Sequence, residues 1–156
     1  MKGKFNKLLA SGLTVLLLSS ATSALAQSDE AQDAIEYRQS ALQLIRANFG
    51  VMADMVRGDV EFDAAVFAQK SKNLSHLAHI PWDGFTGAGA NTSEGTDALP
   101  EIWEDWSDFE QKAQALVDAS AELALAAEDD NMGQIRAKFM ATVQTCRECH
   151  NNYRAD

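Results

Sequence analysis

The chain has 156 residues, 46% of them hydrophobic and 23% charged, which is enough for one domain with a buried core of ordinary size. Its 23 acidic residues outnumber 13 basic ones, and the net charge of −10 argues against nucleic acid and anionic membranes as partners. A basic redox partner is compatible with this charge, which solubility alone also explains.

The first 26 residues have the pattern of a secretory signal peptide. Three lysines precede an apolar run over residues 8–18, and residues 24–26 form an A-x-A cleavage site. The run is too short to span a bilayer, which disfavours the alternative of an uncleaved anchor. We therefore predict export to the periplasm, cleavage after Ala26 and one mature domain over residues 27–156. Its net charge is about −13, because the cleaved segment removes three lysines and no acidic residue.

Two helices are predicted in the first half of the mature part, where apolar residues recur every three or four positions. The first covers about 29–57 and is ended by Gly58, and the second covers about 63–80 and is ended by Pro81. The predicted inward positions are Ile35, Arg38, Leu42, Ile45, Phe49 and Met52 on the first helix, and Val66, Leu74 and Leu77 on the second.

A long segment, residues 81–99, follows the second helix. It contains four glycines and no periodicity, although Trp82 and Phe85 predict that its start is packed. A segment of this length either serves the function or is a plain surface crossover.

The second half predicts a third helix from Pro100 to about 127 and a fourth over about 131–154. Their inward positions are Ile102, Trp106, Phe109, Ala113, Leu116, Ser120, Leu123 and Ala127 on the third, and Ile135, Phe139, Thr142, Cys146, His150 and Tyr153 on the fourth. Because the connections after the first and third helices are short, we predict an all-α, up-down-up-down antiparallel four-helix bundle.

The fourth helix carries the most specific motif of the chain, Cys146-Arg147-Glu148-Cys149-His150. C-x-x-C-H is the attachment signature of a c-type haem, since two thiols can add to the two vinyl groups of one porphyrin. A redox C-x-x-C belongs near a βαβ pattern and a zinc site needs four ligands, and the sequence offers neither context. The motif predicts one covalent haem c, held by Cys146 and Cys149, with His150 as an axial ligand of the iron.

Arg38 is the one charged residue among the predicted inward positions. A buried guanidinium requires an anion, and a haem propionate would provide it in a bidentate pair; the alternative is an arginine that reaches the surface. Gln39 could add a hydrogen bond from the same turn. Leu42, expected opposite the haem, cannot ligate iron. We therefore predict a five-coordinate iron under an apolar lid, unless His76 or His79 reaches it.

Together these residues resemble the cytochrome c′ family, the class II c-type cytochromes. The resemblance rests on the C-x-x-C-H motif with Tyr153 and Arg154 after it, on residues 37–42, on 81–85 and on 100–103. It covers nearly the whole mature part of the chain.

The resemblance implies a periplasmic homodimer whose high-spin, five-coordinate haem binds nitric oxide and carbon monoxide and discriminates against oxygen. It also implies that Arg38 pairs with a propionate, that Leu42 shields the distal face and that Arg154 lies near the proximal site. Thr96 and Glu101 are further haem contacts that it suggests.

Three functions compete on this basis. They are nitric oxide binding and sequestration with redox buffering as a further task, electron transfer by a low-spin or high-spin haem, and a peroxidase-like activity. Leu42 offers neither the hydrogen bond that bound oxygen needs nor the acid–base group that a peroxidase needs. We predict a gas-binding protein that is not an enzyme, with electron transfer to a redox partner as the alternative.

Overall fold

A computed structural model describes residues 18–129 and 131–155, with side chains from residue 29 onward. In this part the α-helices are α1 (Leu18–Arg57), α2 (Ala64–Leu77), α3 (Glu101–Glu104), α4 (Trp106–Glu128) and α5 (Met132–Tyr153), and a 3-10 helix occupies Pro81–Phe85. Within these residues, no helix is both long and apolar enough to cross a membrane. Residues 1–17 of the predicted signal peptide lie outside the described part, and α1 runs without a break past Ala26.

The four long helices form the predicted antiparallel bundle. Helix α1 packs against α2, α2 against α4, and α4 against α5, while the 3-10 helix packs against α1. The one β-bridge of the described part joins Ala98 to Arg154. The predicted all-α fold is confirmed.

Local capping explains where the helices begin and end. Gly58 follows α1 with a φ of 80°, a left-handed conformation that glycine adopts without strain. The Asp63 carboxylate accepts the backbone N–H of Val66 at 3.0 Å, and the Asn131 amide oxygen accepts that of Gln134 at 3.1 Å. These side chains satisfy backbone donors that the first turns of α2 and α5 leave without partners.

The predicted inward positions of α1 are buried or half-buried, but the prediction for Val66 is wrong. Val66 is 37% exposed, while Phe67 beside it is fully buried. The buried stripe of α2 continues from Phe67 through Ser71 and Leu74 in steps of four and three. Val66 precedes this stripe by one residue, a rotation of about 100° around the helix axis.

The third predicted helix is interrupted at Asp105, which separates α3 from α4. Asp105 leaves the helical conformation, with φ −125° and ψ 63°, and its carboxylate accepts the N–H of Asp108 at 3.2 Å. Aspartate is a preferred N-cap residue, so Asp105 both ends α3 and begins α4. The inward stripe survives the break, because Ile102 and Phe109 are both 2% exposed.

Candidate haem site

The two cysteines lie on the inward face of α5 and the adjacent histidine does not. Cys146 and Cys149 are unpaired and half-buried, on the stripe that runs from Thr142 to Tyr153. His150 was predicted to point inward and is exposed. It lies about 100° around the helix from Cys149 but only about 40° from Cys146, so it borders the face that carries the two thiols. The helix thus presents the two thiols to the interior and the imidazole beside them.

Both thiols contact apolar side chains. Cys146 packs against the cluster of Ala78, Leu116 and Val117, and Cys149 packs against the aromatic cluster of Phe85, Ile102, Phe109 and Tyr153. Burial raises the pKa of Cys146, and it raises the pKa of Cys149 to about 11. Both thiols are therefore protonated at neutral pH in the protein without its cofactor.

The surroundings of His150 favour its neutral form. Desolvation by the surrounding side chains, followed by the positive charge of Arg154, lowers the pKa of His150. A neutral imidazole is the form that ligates metal. Arg154 is exposed and pairs with Asp97 at 3.1 Å. His150 also lines a cavity of about 670 Å³ together with Leu99, Asn151, Arg154 and Ala155.

Helix α1 faces α5 across the bundle, and the two helices meet through side chains. The rings of Phe49 on α1 and Phe139 on α5 stack with centroids 4.8 Å apart. The backbones approach more closely in the pairs α1 with α2, α2 with α4 and α4 with α5. Leu42 is half-buried and packs against the core cluster that includes Phe139. Among the candidate sixth ligands, His76 and His79 are exposed on the last residues of α2 and just after it.

Arg38 lies one helical turn before Leu42 and is 2% exposed, so the alternative in which it reaches the surface is wrong. Its guanidinium donates to the carbonyl oxygens of Gly84 at 3.3 Å, Ala90 at 3.1 Å and Thr92 at 3.0 Å. Its carbon atom Cζ lies 4.6 Å from the ring centre of Phe85.

The charged guanidinium of Arg38 is hydrogen-bonded to uncharged carbonyl and hydroxyl oxygens. Of the acidic side chains that the structure describes, none forms an ion pair with it. Burial lowers the pKa of Arg38, although a guanidinium stays charged. A fourth donor contacts the hydroxyl oxygen of Thr96 at 3.4 Å, so the Nε–H is the donor left over. A bidentate pair with a propionate would require that some of these hydrogen bonds break.

The remaining predicted contacts divide into two groups. Thr96 belongs to the surroundings of Arg38, and Gln39 is exposed beside Arg38 on the same turn. Glu101 is exposed at the start of α3. The contacts of these three residues with a haem stay predictions.

Sequence reasoning missed Asp108. The Tyr153 hydroxyl donates to its carboxylate at 2.6 Å, and Lys112 lies 3.5 Å from the same oxygen. This contact fixes the last turn of α5, which carries His150, to the start of α4. The only sequence signal was an acidic residue beside the inward position Phe109, and such residues are usually solvated.

The Tyr153 contact predicts a loss of stability in alkaline solution. Burial, followed by the hydrogen bond to Asp108, raises the pKa of Tyr153. A raised folded-state pKa contributes stability that is complete below the unfolded value of about 10 and is lost as pH rises above it. We expect Tyr153→Phe to be less stable than the parent protein at neutral pH and to show a shallower decline above pH 10, as measured by urea unfolding. Tyr37→Phe is the control, and an equal decline in all three proteins would contradict the prediction.

The donor set fits a covalently held porphyrin. One region of the bundle brings together two inward thiols, an imidazole on the residue after them and an apolar side chain on the facing helix. The same region holds a buried cation that has no acidic partner among the described residues. A carboxylate of the cofactor would neutralise that cation.

Comparisons with known proteins agree with this geometry. The profile of the family described as Cytochrome C′ matches residues 33–154. The chain is 38% identical over 131 residues to cytochrome c′ of Halomonas halodenitrificans, an alignment that covers 81% of this chain and 99% of that one. It is 43% identical to the solved cytochrome c prime of Shewanella frigidimarina, with a TM-score of 0.77 and coverage of 81% and 97%.

A third match is to a nitric oxide complex, that of a Leu-to-Ala variant of cytochrome c prime from Alcaligenes xylosoxidans. Its TM-score is 0.73 at 37% identity, with coverage of 81% of this chain and 96% of that one. The residues matched by the family profile include Cys146, Cys149 and His150. The chain therefore belongs to the cytochrome c′ family, and its cofactor is one covalently attached haem c.

Proposed function

We propose that this protein binds nitric oxide and carbon monoxide at its haem iron, on the side that faces Leu42. The observation that carries the proposal is the residue on α1 one turn after Arg38: a half-buried leucine, which packs in the apolar core and has no atom that can ligate iron. A relative with 37% identity has been solved as a nitric oxide complex, which supports the same ligand class here.

Each residue of the site has a separate task. Cys146 and Cys149 hold the cofactor through thioether bonds, and His150 supplies the axial nitrogen. The Asp108–Tyr153 hydrogen bond holds the turn from which His150 projects. When bound, the haem would supply an iron that can take a diatomic ligand.

The apolar surroundings of Leu42 account for the proposed selectivity. Bound oxygen is polar and is stabilised by a distal hydrogen-bond donor, which a leucine lacks. Nitric oxide and carbon monoxide do not depend on such a donor. A leucine also offers no acid–base group for peroxide cleavage, which supports a binding protein rather than an enzyme.

The cellular setting is part of the proposal. We propose export to the periplasm with cleavage after Ala26, a homodimer, and a redox partner protein if the haem also carries electrons. The relatives' shared family and the A-x-A sequence support this setting. The task in the cell would be sequestration of nitric oxide.

The ferric and ferrous absorption spectra, with and without nitric oxide, test the proposal. We expect high-spin bands in both oxidation states and a large spectral change when nitric oxide is added, because no side chain completes the iron coordination. The alternative, an electron-transfer cytochrome, predicts in its six-coordinate form a low-spin spectrum that nitric oxide changes little. A low-spin spectrum that His76→Ala or His79→Ala converts to high spin would identify the sixth ligand and overturn the proposal.

A further inference from the structure

Residues 84–99, here called the strap, are fastened to the rest of the protein at both ends. At the first end the fastener is Arg38, which donates to the carbonyl oxygens of Gly84, Ala90 and Thr92 and contacts the hydroxyl oxygen of Thr96. These acceptors span most of the strap. One buried side chain of α1 therefore fixes the path of a glycine-rich segment whose residues 86–99 belong to no helix.

At the second end the strap pairs with the residues that follow α5. The N–H of Leu99 donates to the carbonyl of Tyr153 at 3.0 Å, and the N–H of Ala155 donates to the carbonyl of Asp97 at 2.8 Å. The Asp97 carboxylate also pairs with Arg154. The strap and the tail of α5 thus form a short antiparallel bridge.

The two fasteners are adjacent along the chain. The hydroxyl oxygen of Thr96 contacts Arg38 and also accepts the N–H of Ala98 at 3.0 Å. The next residue, Asp97, accepts a hydrogen bond from the N–H of Ala155 through its carbonyl oxygen. A displacement of Thr96 therefore moves the residues that hold the α5 tail. That tail and Leu99 form the wall of the cavity beside His150.

We propose that Arg38 is a positioning residue for the cavity beside His150, acting through the strap. The inference rests on the proposed function in one respect, namely that His150 is the ligand of the haem iron. Arg38 holds the strap by its carbonyl groups, the strap holds the α5 tail, and the tail sets the wall next to the imidazole. Arg38 thus acts on the His150 side of the iron in addition to any contact with a propionate.

The close approach of the strap to α1 supports this role. A Cβ atom on Gly84 would lie 2.7 Å from the Cβ of Arg38 and 3.0 Å from the carbonyl oxygen of Ala34. Any side chain at Gly84 would push the start of the strap away from α1 while the guanidinium and its charge remain. Gly84→Ala therefore disturbs the contacts between the strap and Arg38 while the arginine itself is kept.

Arginine is needed because of its number and arrangement of donors. Its planar fork supplies five N–H groups, of which four reach acceptors in the strap, whereas a lysine ammonium offers three donors from one point. Arg38→Lys keeps the positive charge for a propionate but cannot reach acceptors spread over Gly84, Ala90 and Thr92. The substitution therefore separates the strap function from a purely electrostatic one.

Hydrogen–deuterium exchange of the haem-loaded protein, read by mass spectrometry, is the first measurement. In Arg38→Lys we expect exchange at least about tenfold faster, equivalent to 1.4 kcal/mol, both in the strap and in the tail at residues 153–155. Thr96→Val and Gly84→Ala provide the same test if Arg38→Lys does not fold. Arg46→Lys, an exposed arginine of the same helix, is the matched control.

The second measurement is the iron–histidine stretching band in the resonance Raman spectrum of the ferrous protein, which reports the setting of His150. We expect a shifted band in Arg38→Lys and Thr96→Val and the parent band in Arg46→Lys. Faster exchange in the strap with an unchanged tail and an unchanged band would overturn the proposal, as would parent-like exchange throughout. A haem-loaded protein whose spectrum does not respond to nitric oxide would instead refute the proposed function alone, and the exchange result would still decide whether Arg38 holds the strap and the tail.

Discussion

Replacement of both Cys146 and Cys149 with serine is expected to abolish covalent haem attachment. Each thioether needs one sulfur, and these two cysteines are the only ones in the chain. Serine keeps the size of the side chain but its hydroxyl does not form a thioether. The measurement is haem staining after denaturing electrophoresis, together with extraction by acidified organic solvent, which removes only haem that is not covalently bound.

The single variants sharpen this prediction. Cys146→Ser and Cys149→Ser should each keep one thioether and therefore remain stained, at reduced yield. Thr145→Ser, a half-buried neighbour on α5, is the matched control and should stain like the parent protein. His150→Ala should also retain covalent haem while its spectrum changes, because attachment and axial ligation use different residues. Staining of the double variant at the level of the parent protein would contradict the assignment of the site.

The second large effect is expected from Leu42→Ala, which should increase the association rate of carbon monoxide by about tenfold or more. Leu42 packs against the core cluster that includes Phe139 of α5, and in the proposed site a ligand would have to displace it to reach the iron. Removal of about 1.4 kcal/mol from that steric barrier corresponds to a tenfold faster rate. Flash photolysis or stopped-flow mixing of the ferrous protein measures this rate directly.

A neighbouring leucine controls for a general effect on the helix. Leu44 lies on the same helix, two residues further on, and is 54% exposed, so Leu44→Ala should bind carbon monoxide at the parent rate. Association that is equally fast in the parent protein and in Leu42→Ala would show that Leu42 does not shield the iron. An increase in both variants would point to looser helix packing rather than to a lid.

The cofactor and the fold class were both predictable from sequence because each depends on residues close together in the chain. C-x-x-C-H specifies its chemistry within five residues, and a spacing of three and four marks the buried face of a helix. Six of the seven buried residues of α4, from Phe109 to Ala127, were therefore predicted, and Val117 was missed. The error at Val66 is a shift of one residue, which turns a side chain about 100° around the helix.

Only the tertiary structure decided the partners of Arg38 and the course of residues 84–99. The sequence marked Arg38 as a buried charge, and an anion was the expected partner. The acceptors that the structure provides are backbone carbonyls of Gly84, Ala90 and Thr92, which every residue type carries and no sequence pattern reveals. The Tyr153–Asp108 contact likewise joins residues 45 positions apart. Contacts of this kind depend on how the helices pack, because packing brings together groups that are distant along the chain.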